Sequence, residues 1–283
     1  QIIKKVIILI ANSLSKTRLG ILIGLTLFEE VSERVIKKYL MNNVKSINHN
    51  GIEMRFSVPN RLNHFRVDTF SYKEPETINW IESFSKGSIL WDIGANIGLY
   101  TIYAAKARDS IVYAFEPSIF NLELLARNSF LNQVQKQVII MPIALNDVMG
   151  ENKMLITDTE WGGAFSAFGR NLNWEGKKIS SEFEFQTFGI SMDQAFELLR
   201  IPMPDYVKID VDGLEHFILK NGQQVLSQVK GILIEINDNF QEQSETCKQL
   251  LLKAGLTQAE KKHSDMFDGT KYSSLYNQIW ERP

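Results

Sequence analysis

A short apolar strand that runs into a glycine-bearing turn and then a helix constrains this chain more than any other segment. Ile89-Leu90-Trp91-Asp92-Ile93 is followed by Gly94-Ala95-Asn96-Ile97-Gly98, and a helical pattern starts at Tyr100. Glycine has no Cβ and tolerates positive φ, so such a turn lets the N–H groups of a helix N-terminus come close to a ligand. A purely structural strand-to-helix turn has the same outline, so the ligand class must come from the surrounding residues. A dinucleotide fingerprint wants three glycines spaced G-x-G-x-x-G. Here only positions 94 and 98 are glycine, with Asn96 in the middle place, and no Lys-Ser or Lys-Thr follows Gly98. The turn therefore suits a ligand without phosphates.

The rhythm around this turn predicts an α/β fold. Ile89–Ile93, helix Tyr100–Arg108, Ile111–Phe115, helix Ser118–Asn128 and Val138–Ile143 follow one another. After residue 191 come helix Met192–Leu199, strand Tyr206–Ile209, helix Glu215–Leu226, strand Gly231–Ile236, helix Thr246–Ala254 and a closing strand pair that ends at Gln278–Glu281. Apolar runs alternating with helical periods indicate a parallel sheet covered by helices on both faces. Gly150–Ser191 breaks the rhythm with Gly162-Gly163, Trp161, Phe165, Phe168 and Trp174, and reads as an insertion that covers a site.

Upstream, residues 1–73 are predicted to form an appendage to a main domain at 74–283. Gln1 to about Asn43 reads as helical, Ile47–Phe70 as an alternating ribbon or lid with a turn at Asn50-Gly51, and Glu74–Phe84 as a helix opened by Pro75. The apolar runs Val6–Ile10 and Leu19–Phe28 are shorter than the roughly 18 to 20 residues that span a bilayer. They are expected to pack on the domain or to pair two subunits as a homodimer. Their flanking Lys4, Lys5, Lys16 and Arg18 give membrane-surface contact through residues 1–30 as the second reading.

Composition excludes some partners. A net charge of −2 offers no field for a nucleic-acid backbone, so no nucleic-acid partner is expected. The single cysteine, Cys247, cannot form an intrachain disulfide, and a cytoplasmic location is expected.

Two acidic features complete the candidate site. Glu116, in Phe115-Glu116-Pro117, stands at the end of the second strand, about 20 residues beyond the glycine turn, where such folds hydrogen-bond a ribose diol. Lys208-Ile209-Asp210-Val211-Asp212-Gly213-Leu214-Glu215-His216 leaves another strand end and enters a helix, at the sheet edge where ligands bind. Helix capping by Asp212 with Glu215 in a capping box accounts for those two residues and leaves Asp210 and His216 unexplained.

In this order, Asp92–Gly98, Phe115-Glu116-Pro117, Ile143-Ala144-Leu145-Asn146-Asp147 with Gly150, and Lys208–Gly213 with Glu215 resemble the FkbM family of S-adenosylmethionine-dependent methyltransferases, over roughly Glu74 to Glu281. The family pattern usually has Glu where Asp212 stands. The resemblance implies a Rossmann-like class I methyltransferase fold, a seven-stranded mostly parallel sheet with a reversed last strand. It also implies O-methylation of a hydroxyl, often on a sugar or natural product. Carried onto this chain, Asp92, Gly94, Ala95, Asn96 and Gly98 hold the methionine moiety of S-adenosylmethionine, Glu116 and Pro117 the ribose, Asn121 and Ala144 lie near the adenine, and Glu74 faces the cofactor from outside the sheet.

Methyl transfer to a hydroxyl needs an aligned acceptor and an exit for its proton. Asp210 or His216, with Glu215 beside them, are the candidate bases. A divalent metal on Asp210, Asp212, Glu235 and Asp238, with Asn237 as a carbonyl donor, is the less favoured route. Trp161, Phe165, Phe168 and Trp174 are expected to line the pocket of a small-molecule or glycan acceptor. A nicotinamide-dependent oxidoreductase and a noncatalytic scaffold are the alternatives, the first weakened by the absent middle glycine.

Overall fold

A computed structural model describes residues 29–35 and 42–283. Residues 29–35 are helical, whereas the apolar runs expected to make membrane or subunit contacts fall on residues 1–28, outside the described residues. Among the described residues no helix is long and apolar enough to cross a membrane.

The chain enters through an antiparallel hairpin, β1 (Val44–His49) and β2 (Ile52–Ser57), then helices α1 (Arg61–Lys73) and α2 (Pro75–Glu82). The expected ribbon thus stops at residue 57 and the rest of it is helix. Asn60 starts that helix by accepting from the Asn63 N–H at 2.9 Å, an N-cap that offsets the weak helical period. Nor is the hairpin a lid, because Met54 and Phe56 are fully buried in the same core as Leu90 and Ile102.

The main sheet contains β3 (Ile89–Ile93), β4 (Ile111–Phe115), β5 (Val138–Met141), β10 (Tyr206–Ile209), β11 (Gly231–Asn237), β12 (Thr257–Lys262) and β13 (Leu275–Glu281). Its order is β12-β13-β11-β10-β3-β4-β5, and β13 alone runs against its neighbours. This is the class I methyltransferase architecture, reversed last strand included. On one face lie the hairpin, α1, α2, α3 (Leu99–Arg108) and α4 (Ile119–Leu131). On the other lie α5 (Met192–Leu199), α6 (Glu215–Lys220), α7 (Gln223–Leu226) and α8 (Gln241–Lys253), with Cys247 of α8 wholly buried against the sheet.

Residues 144–190 form a second sheet, which takes in most of the expected insertion Gly150–Ser191. Strands β6 (Ala144–Leu145), β7 (Gly150–Ile156), β8 (Ala167–Phe168) and β9 (Phe183–Ile190) pair in the order β6-β9-β7-β8. The expected helix 215–226 is two pieces, interrupted at Asn221-Gly222.

Candidate active site

The site grows from the carboxyl ends of β3 and β10, which pair in parallel with Asp92 opposite Lys208. Alternate strand residues face opposite sides, so Asp92, Lys208 and Asp210 share the face of Leu90 and Tyr206, under α1–α3. The turn after β3 must bend sharply against the turn after β10. Gly94 has φ +83°, and a Cβ there would sit 1.9 Å from the Asp210 carbonyl oxygen. Gly98 has φ +85°, with a Cβ 2.5 Å from Leu125 Cδ1. Both positions need glycine for conformation and for space.

Between the glycines, Asn96 takes the left-handed conformation that asparagine tolerates, φ 49°. Its N–H donates to Glu116 Oε2 at 2.8 Å, while Glu116 Oε1 accepts from the Ser118 N–H at 2.8 Å. Burial pushes Glu116 up to about 7, against the pull of these bonds. Asp92 is raised by burial too; one oxygen accepts from the Thr101 hydroxyl, and the other, Oδ1, is buried without a partner.

A pocket opens over the turn, lined by Asp92, Gly94–Ile97, Asp210 and Lys208 from the sheet and by Arg66, Lys73, Glu74 and Tyr100 from the helices. Glu74 lines this pocket from outside the sheet. Burial works against its charge, but Lys73 and Lys208, with hydrogen bonds from Lys73 (2.7 Å) and the Tyr100 hydroxyl (2.9 Å), hold it down at about 2. Lys73, Arg66, Tyr100 and Lys208 were not among the sequence candidates. Lys208 stands inside a quoted motif, and its signal was a charge in the middle of an apolar strand.

Other candidates are placed elsewhere. His216, expected as a candidate base, and Glu215, expected beside it, are both fully buried away from the pocket. Glu215 staples the preceding turn by accepting from the Val211 and Gly213 N–H groups and from Gln243. Helix α6 has Leu214 at its N-cap with no side-chain cap bond, so the expected capping box does not form. The ring of His216 packs on Phe217 and Phe240, neither nitrogen has a partner, and burial lowers it to about 4. It is a neutral core residue that an acceptor cannot reach. Gly98, Glu116, Pro117 and Ala144 do not line the pocket; Glu116 stands behind the turn, held by Asn96 and Ser118, and Ala144 packs in the small sheet with Met154 and Phe168. Phe168, expected at the acceptor, belongs to that same core.

Carboxylate oxygens of Asp210, Asp212 and Glu235 all lie within 4.8 Å of one another, and this is the one such trio among the described residues. Burial and then Asp210 push Asp212 up to about 6, and burial with the same neighbours raises Glu235 well above the carboxylate range. Asp238 is not part of the trio, being exposed and paired with Lys261. Asn237 holds the Trp174 carbonyl with its side chain.

The insertion reaches back over the site. Gly163 O accepts from Asn96 Nδ2 (3.0 Å) and Asn121 Nδ2 (3.1 Å), Gly162 O from Arg66, and the Phe165 N–H donates to Asp212 Oδ2 at 2.7 Å. Asn121 thus grips the strap and does not line the pocket. Phe165 stacks on Tyr272, which also meets Trp174, giving an aromatic wall beside Asp212.

The sequence pattern of the Methyltransferase FkbM domain matches residues 92–266, more than half of the chain. The chain is similar to the hexuronic acid methyltransferase AglP of Haloferax volcanii, 27% identical over 188 residues that cover 66% of this chain and 72% of that protein. Among solved structures it is similar to TYW2 of M. jannaschii in complex with AdoMet, with TM-score 0.45, 16% identity, and 85% and 87% of the two chains covered. It is also similar to a precorrin-6y C5,15-methyltransferase of Geobacter metallireducens, with TM-score 0.43, 13% identity, and 74% and 87% covered. TM-scores below 0.5 make both distant likenesses.

Proposed function

Because the chain belongs to the FkbM methyltransferase family, it is a methyltransferase, and we propose that it moves the methyl group of S-adenosylmethionine to a saccharide hydroxyl, with Asp210 as the base. The family match gives no support to the oxidoreductase or the scaffold. One observation carries the reading: Asp210 lines the same pocket as Asp92 and Gly94–Ile97, which supports a donor and a proton acceptor side by side at one sheet edge.

The residues present fit the donor. The unpartnered Asp92 Oδ1 offers an acceptor to an ammonium, and the glycine turn offers room for a ligand at the backbone. Glu116, with lone pairs beyond those given to Asn96 and Ser118, accepts from ribose hydroxyls. Bound there, S-adenosylmethionine supplies an electrophilic methyl group on a sulfonium. Asp210 would orient the acceptor hydroxyl and take its proton as the new C–O bond forms and the methyl–sulfur bond breaks, leaving S-adenosylhomocysteine. The wall of Phe165, Trp174 and Tyr272 stacks against the sugar ring.

The saccharide comes from the relative that acts on a hexuronic acid. The test is calorimetry with S-adenosylhomocysteine and with NADH, followed by transfer of labelled methyl to p-nitrophenyl glucuronide and p-nitrophenyl glucoside. Saturable binding of the first ligand only, with label on a glycoside, is expected. NADH binding without S-adenosylhomocysteine binding sinks the reading.

A second reading rests on the carboxylate trio: Asp210, Asp212 and Glu235 would hold a divalent cation, which would supply acidification of the acceptor hydroxyl. We favour the metal-free route, since Lys208 already occupies Asp210 Oδ2. Activity that disappears on chelation and returns with magnesium reverses that preference. Residues 1–30 are proposed to touch a membrane surface or a second subunit, which flotation with anionic vesicles and sedimentation velocity distinguish; residues 44–73, expected as part of an appendage, share the core of the main sheet.

A further inference from the structure

Strand β10 carries a lysine where a central parallel strand calls for an apolar residue. Strands covered on both faces read as nearly continuous apolar runs, and Val207 and Ile209 comply, yet Lys208 between them is 2% exposed. Its ammonium reaches Asp210 Oδ2 at 2.9 Å and lies 5.3 Å from the centre of the Tyr100 ring. Taking an ammonium out of water costs several kcal/mol even after relaxation. Burial works against its charge, but the carboxylates of Asp210, Asp92 and Glu74 outweigh that and keep it protonated.

We propose that Lys208 is a positioning residue that locks the Asp210 carboxylate in one orientation, holding Oδ2 from beneath so that Oδ1 faces the acceptor. The inference rests on the reading of Asp210 as the base. Exposure distinguishes the two partners: the Asp210 side chain is 29% exposed and that of Lys208 3%, so an acceptor can touch the carboxylate but not the ammonium. The Asp210 backbone is fixed separately. Its N–H donates to the Ile93 carbonyl at 3.0 Å, and its own carbonyl lies against Gly94. Only the side-chain torsions remain free, and the lysine restrains them. Lys73, the other cation near this carboxylate, is engaged by Glu74 Oε1 at 2.7 Å. A base that wanders by an ångström loses much of the advantage of alignment.

The test uses the full chain carrying Lys208→Met, Lys208→Arg or Asp210→Asn. Turnover is read with labelled donor and the p-nitrophenyl glycosides. Affinity is read with S-adenosylhomocysteine and with 5′-methylthioadenosine, which lacks the amino-acid end. Lys208→Met is expected to lower kcat at least 100-fold while KM for the glycoside and both affinities stay within threefold, and Lys208→Arg to recover at least tenfold. If the methionine variant does not fold, Lys208→Gln replaces it under the same criteria. A kcat within threefold of the parent, or an arginine variant no better than the methionine one, overturns the inference. So does S-adenosylhomocysteine binding weakened more than tenfold with 5′-methylthioadenosine unchanged, since Lys208 then contacts the donor itself. Asp210→Asn separates the two failures. If it keeps parental kcat, the base reading falls; if it is inactive while Lys208→Met is normal, only the lysine's role falls.

Discussion

Strands β3 and β10 show opposite chemistry on their two faces. Toward α5–α8 they present Trp91, Ile93, Val207 and Ile209, all in one apolar cluster. Toward α1–α3, Leu90 and Tyr206 give way at the carboxyl ends to Asp92, Lys208 and Asp210. The backbone and the sheet are the same, so the difference lies in what meets each face. The apolar face is sealed by helices and supplies cohesion; the charged face is left partly open, with Lys208 paired to Asp210 on the same strand. Stability and activity should therefore respond to different faces of the same residues.

The largest test of that separation is Asp210→Asn. Loss of a general base is expected to lower kcat by roughly 10²- to 10⁴-fold, read in the glycoside assay with a melting curve taken alongside. Substituting a residue of the sealed face should do the reverse. Trp91→Ala on the sealed face is expected to cost about 3–5 kcal/mol in urea unfolding, with S-adenosylhomocysteine affinity of the folded fraction unchanged. A Trp91→Ala protein that keeps its stability but loses the ligand breaks the comparison.

Glu116 sharpens it through pH. If Glu116 is the ribose ligand, the ionised carboxylate is the form able to accept from two hydroxyls, and burial holds this group at about 7. Wild-type affinity for S-adenosylhomocysteine should rise between pH 6 and pH 8, while that of Glu116→Gln stays flat; the reverse slope discards Glu116 as the ribose ligand. Stability runs the other way. A folded-state value above the ordinary carboxylate value means that the folded chain keeps its proton longer, so this residue increasingly destabilises the fold as pH rises from about 4.5 to 7. In differential scanning fluorimetry Glu116→Gln should gain on the parent between pH 5 and pH 8. The smallest effect belongs to Ile209→Val, about 0.5–1.5 kcal/mol with kcat within twofold.

Legibility in the sequence followed the range over which each signal acts. Strands β3, β4 and β10 and helix α5 were readable to the residue, because a run such as Ile89–Ile93 is bounded by its own turn. Helix α1 was hidden because Phe65 and Val67 alternate with Arg66 and Asp68, which mimics a ribbon. The insertion concealed a sheet because β7 and β9 carry Glu151, Lys153, Glu184 and Gln186 on an open surface. In the site, Asp92, Glu116 and Asp210 follow from strand ends, which the sequence locates well. His216 does not, since one residue along a helix turns a side chain by about 100°, and that turn sends it into the core. Lys73 and Arg66 come from a helix whose docking on the sheet is a long-range event with no local mark.

The lone thiol of Cys247 lies wholly buried on the sealed face, and burial raises it well above the usual range. It stays inert to a thiol reagent until α8 lifts from the sheet. The rate at which the reagent adds one label per chain then reports how often that face opens. The protein carries its own clock for breathing on the side that performs no chemistry, and donor analogues can be asked whether they slow it.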